Sequence, residues 1–253
     1  MGTASFDFSG QVVLVTGGTK GVGRGIAARF AAAGAAVAVC ARSQASAPMA
    51  AATFFAADLR DGEQAWAMVD AVVSRLGRLD VEINNAGGSP PADTATASAR
   101  FTERIIALNL LSAMFVSQRA NHHMQTQPEG GSIVNIGSVA ANRPAPTVAA
   151  YGAAKAGLAN FSTTAAQEFA PKVRVNVVTA GLIETEQSAM HYGDAESIDR
   201  VAATIPLGRL ATPDDIADAC LFLASSAASY VTGSTLLLTG GGDRPAFLAA
   251  LQP

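Results

Sequence analysis

Seven short runs rich in Val, Ile and Leu recur along the chain, at 12–16, 36–41, 53–56, 79–84, 132–136, 174–178 and 236–238. They do not alternate apolar with polar residues, so each reads as a strand covered on both faces, the pattern of a parallel sheet. Longer stretches of helical character lie between them, at 22–33, 63–76, 101–125, 150–170 and 213–224. The last opens on Thr212-Pro213-Asp214-Asp215, with a hydroxyl cap, a proline at the first helical position and acids in the first turn. A run of βα units closes into an eightfold barrel or opens into a doubly wound sheet. Seven strands are one too few for the barrel, and the interval 42–53 is too short for a full crossover helix with its loops. The expected fold is α/β, a single domain over 1–253 with a doubly wound parallel sheet of about seven strands and helices on both faces. The long irregular stretch 182–210 is expected to be a lid that carries substrate contacts.

The first strand runs into Thr16-Gly17-Gly18-Thr19-Lys20-Gly21-Val22-Gly23 and then a helix. Glycines let a backbone turn tightly and approach a pyrophosphate, which the free N–H groups and dipole of the helix N-terminus then hold. The turn makes the sheet Rossmann-type and nominates Gly17, Thr19, Lys20, Gly21, Val22 and Gly23 as cofactor contacts. The spacing is T-G-x3-G-x-G, with Ile26 at the last glycine position of G-x-G-x-x-G. At the end of the second strand, where a carboxylate would hold the ribose hydroxyls of NAD(H), the chain reads Cys40-Ala41-Arg42-Ser43. Arg42, with Lys20 in the turn, would attract a 2′-phosphate, so NADP(H) is the expected cofactor and NAD(H) the alternative.

Tyr151 and Lys155 stand four apart, on one face of a helix. A free phenol titrates near pH 10, and a neighbouring cation stabilises the phenolate and brings proton exchange closer to neutrality. Ser138 lies 13 residues upstream at the end of a strand, where its hydroxyl either donates to a substrate carbonyl or caps a turn.

The glycine-rich turn, Asn84-Asn85-Ala86-Gly87, Asn109, Ser138 and Tyr151-x3-Lys155, in this order, resemble the short-chain dehydrogenase/reductase family in its single-domain branch of about 250 residues. The resemblance spans essentially the whole chain, through Pro206-Leu207-Gly208-Arg209 and Thr232-Gly233. It implies Tyr151 as general acid or base, Lys155 beside it, Ser138 polarising the carbonyl, and Asn109 holding a water behind Lys155. It further implies cofactor contacts from Asp58 and Leu59 at the adenine, from Asn85, Ala86 and Gly87 in the crevice, and from Gly181, Ile183 and Thr185 at the nicotinamide. Tyr151 and Lys155 would touch the cofactor as well. The implied activity interconverts a ketone and a secondary alcohol, of 3-oxoacyl-thioester or lipophilic, steroid-like type. An NAD(H)-linked secondary alcohol dehydrogenase is the alternative, and a non-catalytic dinucleotide sensor the reading from another class. A homotetramer is implied by analogy.

Other features exclude more than they propose. With 17 basic and 20 acidic residues and no basic block, a nucleic-acid partner is not expected. The longest apolar stretch, 30–41, is interrupted by Gly34 and too short for a bilayer. The opening MGTASFDFSGQ has no cationic region and carries Asp7, so the expected location is cytoplasmic, with no membrane partner. Cys40 and Cys220 make neither a disulfide framework nor a metal site, and adjacent His122 and His123 cannot form a metal pair on one helix face. Trp66 is expected to pack a helix on the sheet, and His191-Tyr192 lies in the lid near the expected substrate. Four positions depart from the family pattern: Ala180 where proline is common, Thr239 where an acid is frequent, the short interval after Arg42, and Glu82 inside the fourth strand. A lone buried carboxylate is costly, so Glu82 is expected to find a polar group or cation on a neighbouring helix.

Overall fold

A computed structural model describes residues 5–47, 49–186 and 188–242, the side chains of Met190 and His191 excepted. Its strands are β1 (Val12–Thr16), β2 (Ala36–Ala41), β3 (Ala52–Ala56), β4 (Val81–Asn84), β5 (Gly131–Ser138), β6 (Val173–Ala180) and β7 (Thr235–Leu238). They form one sheet in the order β3-β2-β1-β4-β5-β6-β7, every pair parallel. The chain thus winds outward from β1 to β3, then returns to the other side of β1 and continues to β7. Ligands of open α/β sheets bind at such a reversal, outside the carboxyl ends of the strands.

The helices are α1 (Gly21–Ala32), α2 (Gly62–Leu76), α3 (Ala99–Ile106), α4 (Ser112–Met124), α5 (Ala149–Phe169), α6 (Ser188–Tyr192), α7 (Ala195–Ala203) and α8 (Pro213–Ala224). Alternate strand residues feed two cores. Val13 and Val15 pack with Ile26 and Phe30 of α1 and Ile216 and Cys220 of α8. Val12 and Leu14 face the other way, toward Met68 and Val72 of α2, Val116 of α4 and Phe169 of α5. Each fully buried aliphatic side chain contributes about 1.5–3 kcal/mol. The α8 start forms as its sequence predicts: Thr212 accepts from the Asp215 N–H, Asp215 accepts from the Thr212 N–H, and Pro213 opens the helix. Residues 42–51, as far as they are described, contain no helix; Met49 from this stretch and Phe54 from β3 pack against the α1 core. Trp66 departs from expectation. It is 39% exposed and joins α2 to α4 by donating to the Phe115 carbonyl at 3.1 Å. His123 is likewise not free on the surface, since its Nε2 lies 2.7 Å from Asp70, which also receives Arg119.

Glu82 is fully buried, between Leu14 of β1 and Ile133 of β5. The expected partner is missing: neither carboxyl oxygen has a hydrogen-bond partner among the described residues. The closest polar groups are already engaged with each other, the Asn84 amide donating to the Ser117 hydroxyl at 2.8 Å. Burial pushes the Glu82 carboxyl up to about 8, and the pull of Ser117 and Asn84 in the other direction is weaker. At neutral pH the side chain is a neutral acid, which is how the sheet tolerates it.

The sign of the resulting pH dependence follows. The unfolded carboxyl titrates near 4.5 and the folded one near 8, so the folded state binds the extra proton between those values. Stability is full below about pH 4.5 and falls as pH rises to 8, by a total on the order of 5 kcal/mol. Glu82→Leu should remove this slope, raising the melting temperature by several degrees at pH 8 and by less at pH 5. Thermal melts across that range check it, and a gain independent of pH would contradict the assignment.

Candidate active site

The turn after β1 is held by its neighbours. Gly17 has φ 64° and donates to the Cys40 carbonyl at 2.9 Å, tying the turn to the end of β2. A Cβ at Gly23 would lie 2.3 Å from Asn85 Nδ2 and 2.4 Å from the Gly17 carbonyl, so only glycine permits this approach. Lys20 is the N-cap of α1 in extended conformation, its own side chain makes no capping bond, and the first turn of that helix contains no acid. Its N-terminus is therefore electropositive, with N–H groups that the helix itself does not satisfy.

Arg42 is exposed at the end of β2 and Leu59 is buried. Asp58 lies within electrostatic reach of Arg42 but is engaged elsewhere: both its oxygens accept from Arg60, Oδ1 from Nε at 2.8 Å and Oδ2 from the Nη2 group. That fork holds the Asp58 carboxyl below its usual range. Arg60 was not foreseen, although an opposite charge two residues from Asp58 was visible in the sequence.

Across the crevice, Asn109 organises the wall. Its Oδ1 accepts from the Gly88 N–H at 2.7 Å, and its Nδ2 donates to the carbonyls of Gly88 and Ile105 at 3.0 and 2.9 Å. The Ile105 carbonyl, four residues back, is the acceptor that the Asn109 backbone N–H would take in an α-helix. Its diversion accompanies a π turn at Ala107–Leu111, which splits the expected helix 101–125 into α3 and α4. Both Nδ2 hydrogens are committed, so a water behind Lys155 would need other donors. The backbone at Gly87 passes close above: a Cβ there would lie 2.6 Å from Asn109 Oδ1 and 3.4 Å from Lys155 Nζ.

Lys155 is buried, its ammonium donating to the Ile136 carbonyl at 2.8 Å and standing 5.8 Å from the centroid of the Tyr151 ring. Burial pushes it down to about 8. Tyr151 sits in the first turn of α5, where burial raises its phenol and a hydrogen bond with Ser138 acts against the rise. The lowering expected from Lys155 is not among the influences on the phenol, and burial outweighs the pull of Ser138. Ser138 closes β5, and its Oγ accepts from the Ala140 N–H at 3.2 Å, so it caps a turn and also reaches Tyr151. The loop before α5 is tied down by a 2.8 Å bond from the Ala92 N–H to the carbonyl of Thr147, a non-glycine residue at φ 69°.

The segment after β6 begins at Gly181, which donates to the Leu238 carbonyl at 2.8 Å. Ile183 then bridges to Ala211, and the Thr185 N–H donates to Ser188 Oγ at 2.8 Å. Tyr192 of α6 comes near enough to Tyr151 to act on it electrostatically; the His191 side chain lies outside the described residues. Beyond Ser138, a cavity of about 190 Å³ is bounded by Val139, Asn142, Arg143, Leu182, Ile205 and Leu237 among others, a mainly apolar wall. Its sides include the loop after β5 and the segment 182–210.

Residues 17–242 match the family described as enoyl-(acyl carrier protein) reductase. An uncharacterized oxidoreductase of Methylorubrum extorquens is 40% identical over 245 residues, covering 92% of this chain and 97% of that one. The 3beta-hydroxysteroid dehydrogenase 1 of Eggerthella lenta is 34% identical over 246 residues, covering 93% and 94%. Among solved structures, aldohexose dehydrogenase of Thermoplasma acidophilum aligns with a TM-score of 0.86 at 29% identity, covering 93% of this chain and 94% of that one.

The role given to Asn109 is measurable without any ligand. Asn109→Ala should let the π turn relax and should lower stability by about 1–3 kcal/mol, from three lost hydrogen bonds partly replaced by water. Urea denaturation checks it, and an unchanged midpoint would show that the turn is held by something else.

Proposed function

The chain belongs to the short-chain dehydrogenase/reductase family, and from that premise we propose that it is an NADP(H)-dependent oxidoreductase interconverting a ketone and a secondary alcohol. The observation that carries the reading is the meeting of Ser138, Tyr151 and Lys155 at the carboxyl end of β5, with Ser138 near enough to act on the Tyr151 phenol and Lys155 Nζ 5.8 Å from the Tyr151 ring centroid. A dinucleotide fits the residues present. The turn at Gly17 and Gly23 cannot accept side chains, the first turn of α1 contains no acid of its own, and Lys20 and Arg42 are exposed cations beside it. Gly17, Thr19, Lys20, Gly21, Val22 and Gly23 would hold the pyrophosphate side and Arg42 the 2′-phosphate. Asp58, Leu59, Asn85, Ala86 and Gly87 would line the adenine and ribose crevice, and Gly181, Ile183 and Thr185 the nicotinamide end.

When bound, the nicotinamide supplies or takes up the hydride. The protein's part is proton transfer and orientation. In reduction the Tyr151 phenol gives its proton to the carbonyl oxygen as negative charge develops there; in oxidation the phenolate takes it back from the alcohol. The Ser138 hydroxyl, whose oxygen is already fixed by the Ala140 N–H, directs its hydrogen toward the same carbonyl. Lys155, anchored on the Ile136 carbonyl, puts a positive charge beside the forming phenolate. Asn109 keeps the Gly87–Gly88 backbone over that ammonium.

The apolar cavity past Ser138 supports a lipophilic substrate, of 3-oxoacyl-thioester or steroid-like type, and the printed descriptions of the matched family and of the Eggerthella enzyme agree with that class. By family analogy the assembly is a homotetramer in the cytoplasm, and Leu237 and Tyr230, exposed on and beside the edge strand β7, would suit a subunit contact.

Tyr151→Phe should retain dinucleotide affinity within about twofold and lose at least about a thousandfold in turnover with ketones of these classes. Steady-state rates beside fluorescence titration test it, and unchanged turnover would remove Tyr151 from the chemistry. Arg42→Ala should weaken NADPH binding by about tenfold or more while leaving NADH nearly unaffected. Tighter binding of NADH than NADPH by the unaltered enzyme would reverse the cofactor assignment.

A further inference from the structure

Helix α1 begins at Gly21 with no side-chain cap and no acid in its own first turn. Its N-terminus is nevertheless not without an anion. Glu186, 165 residues away, brings its Oε1 to 2.8 Å from the Gly21 N–H. The carboxylate comes from the segment after β6 and is presented by an ordered turn. Upstream, the Glu184 N–H donates to the Ala211 carbonyl at 2.8 Å and the Ala211 N–H to the Leu182 carbonyl at 3.0 Å. Downstream, Thr185 and Ser188 close on each other, the Thr185 N–H to Ser188 Oγ at 2.8 Å and the Ser188 N–H to the Thr185 carbonyl at 3.0 Å. Glu186 itself remains exposed, able to swing away without unpacking the core.

The geometry points to Glu186 as an intramolecular competitor of the cofactor's pyrophosphate. A carboxylate on a helix N-terminal N–H is a charge-assisted bond reinforced by the dipole, the same interaction that holds a phosphate there. One N–H has one hydrogen, and two anions at that spot repel each other. Dinucleotide binding therefore displaces the Glu186 carboxylate from the Gly21 N–H, while the backbone bonds of its turn stay in place. This inference rests on the dinucleotide reading given above.

The test uses the full-length protein and two ligands, NADPH and ADP-ribose, the latter reporting the pyrophosphate site without the nicotinamide. Calorimetric titration of Glu186→Gln and Glu186→Ala should show about tenfold tighter binding of both ligands than the unaltered protein. Unchanged or weaker affinity in both variants overturns the competition, because Glu186 would then be neutral or helpful to the cofactor. Failure of the unaltered protein and both variants to bind either ligand overturns the dinucleotide reading itself, and is distinguishable from that result.

Discussion

One buried hydroxyl holds the mouth of the sheet together. Thr16, the last residue of β1, donates to the Ile83 carbonyl at 3.3 Å and accepts from the N–H groups of Asn85 and Ala86, both at 3.0 Å. Asn85 returns the tie, its Nδ2 donating to the carbonyls of Thr16 and Gly17 at 2.9 and 3.3 Å. Strands β1 and β4 are neighbours, yet the chain travels out to β3 and back between them, so no local segment fixes the distance between their ends. The glycine-rich turn belongs to one wall, and Gly87 over Asn109 and Lys155 to the other. Each of these bonds is worth about 1 kcal/mol net and costs about 1–3 kcal/mol if left unmade. Together they set the width of the crevice from which every candidate contact is measured.

Behind that crevice runs a second polar line, buried and fully paired. Asn84 donates to Ser117 of α4 and to Asn135 of β5, both at 2.8 Å. Asn135 passes the bond to Ser162 of α5 at 2.8 Å, and Ser162 ends it on the Leu158 carbonyl at 2.6 Å. Two strands and two helices are thus locked in register directly beneath the residues that carry Ile136, Ser138 and Lys155. Directional bonds do here what an apolar core cannot, since they specify which way the strand ends face. Arg174 plays a comparable part at the far end, its guanidinium donating to the Leu223, Ala224 and Ser225 carbonyls at the end of α8.

Features written in local sequence were legible, and those that depend on distant partners were not. The apolar runs locate all seven strands to within two residues, and the Thr212-Pro213 start of α8 is exact in form because cap, proline and acid are neighbours in the chain. The Tyr151–Lys155 pair is visible because one helical turn relates them. The π turn was hidden in an unbroken helical pattern, because its cause is an amide that bonds Gly88 across 21 residues. Helix α7 carries a local signal of its own, Asp194 capping it by accepting from the Ser197 N–H. Glu186 on Gly21 had no signal at all, since nothing in either neighbourhood announces the other. Glu82 was recognised as anomalous, but its register against Leu14 and Ile133 is a property of the sheet, and the sheet gives it no partner.

Glu82 and Lys155 then prove to be two faces of the same constraint. Both are buried with no opposite charge paired to them among the described residues, and burial moves each toward its neutral form, the carboxyl up to about 8 and the ammonium down to about 8. Above that pH the acid acquires a charge where the sheet cannot solvate it, while the lysine loses the charge that the proposed chemistry calls for beside Tyr151. Below it both are in the state the architecture requires. The direction is the same for fold and site, because in each case the missing counter-charge is replaced only by backbone or by apolar neighbours. A doubly covered parallel sheet leaves little room for water at either place. The alkaline limit of this protein is therefore set by how its layers exclude solvent, and a substitution that repaired only Glu82 would extend the stability of the fold to higher pH without extending the range in which Lys155 remains charged.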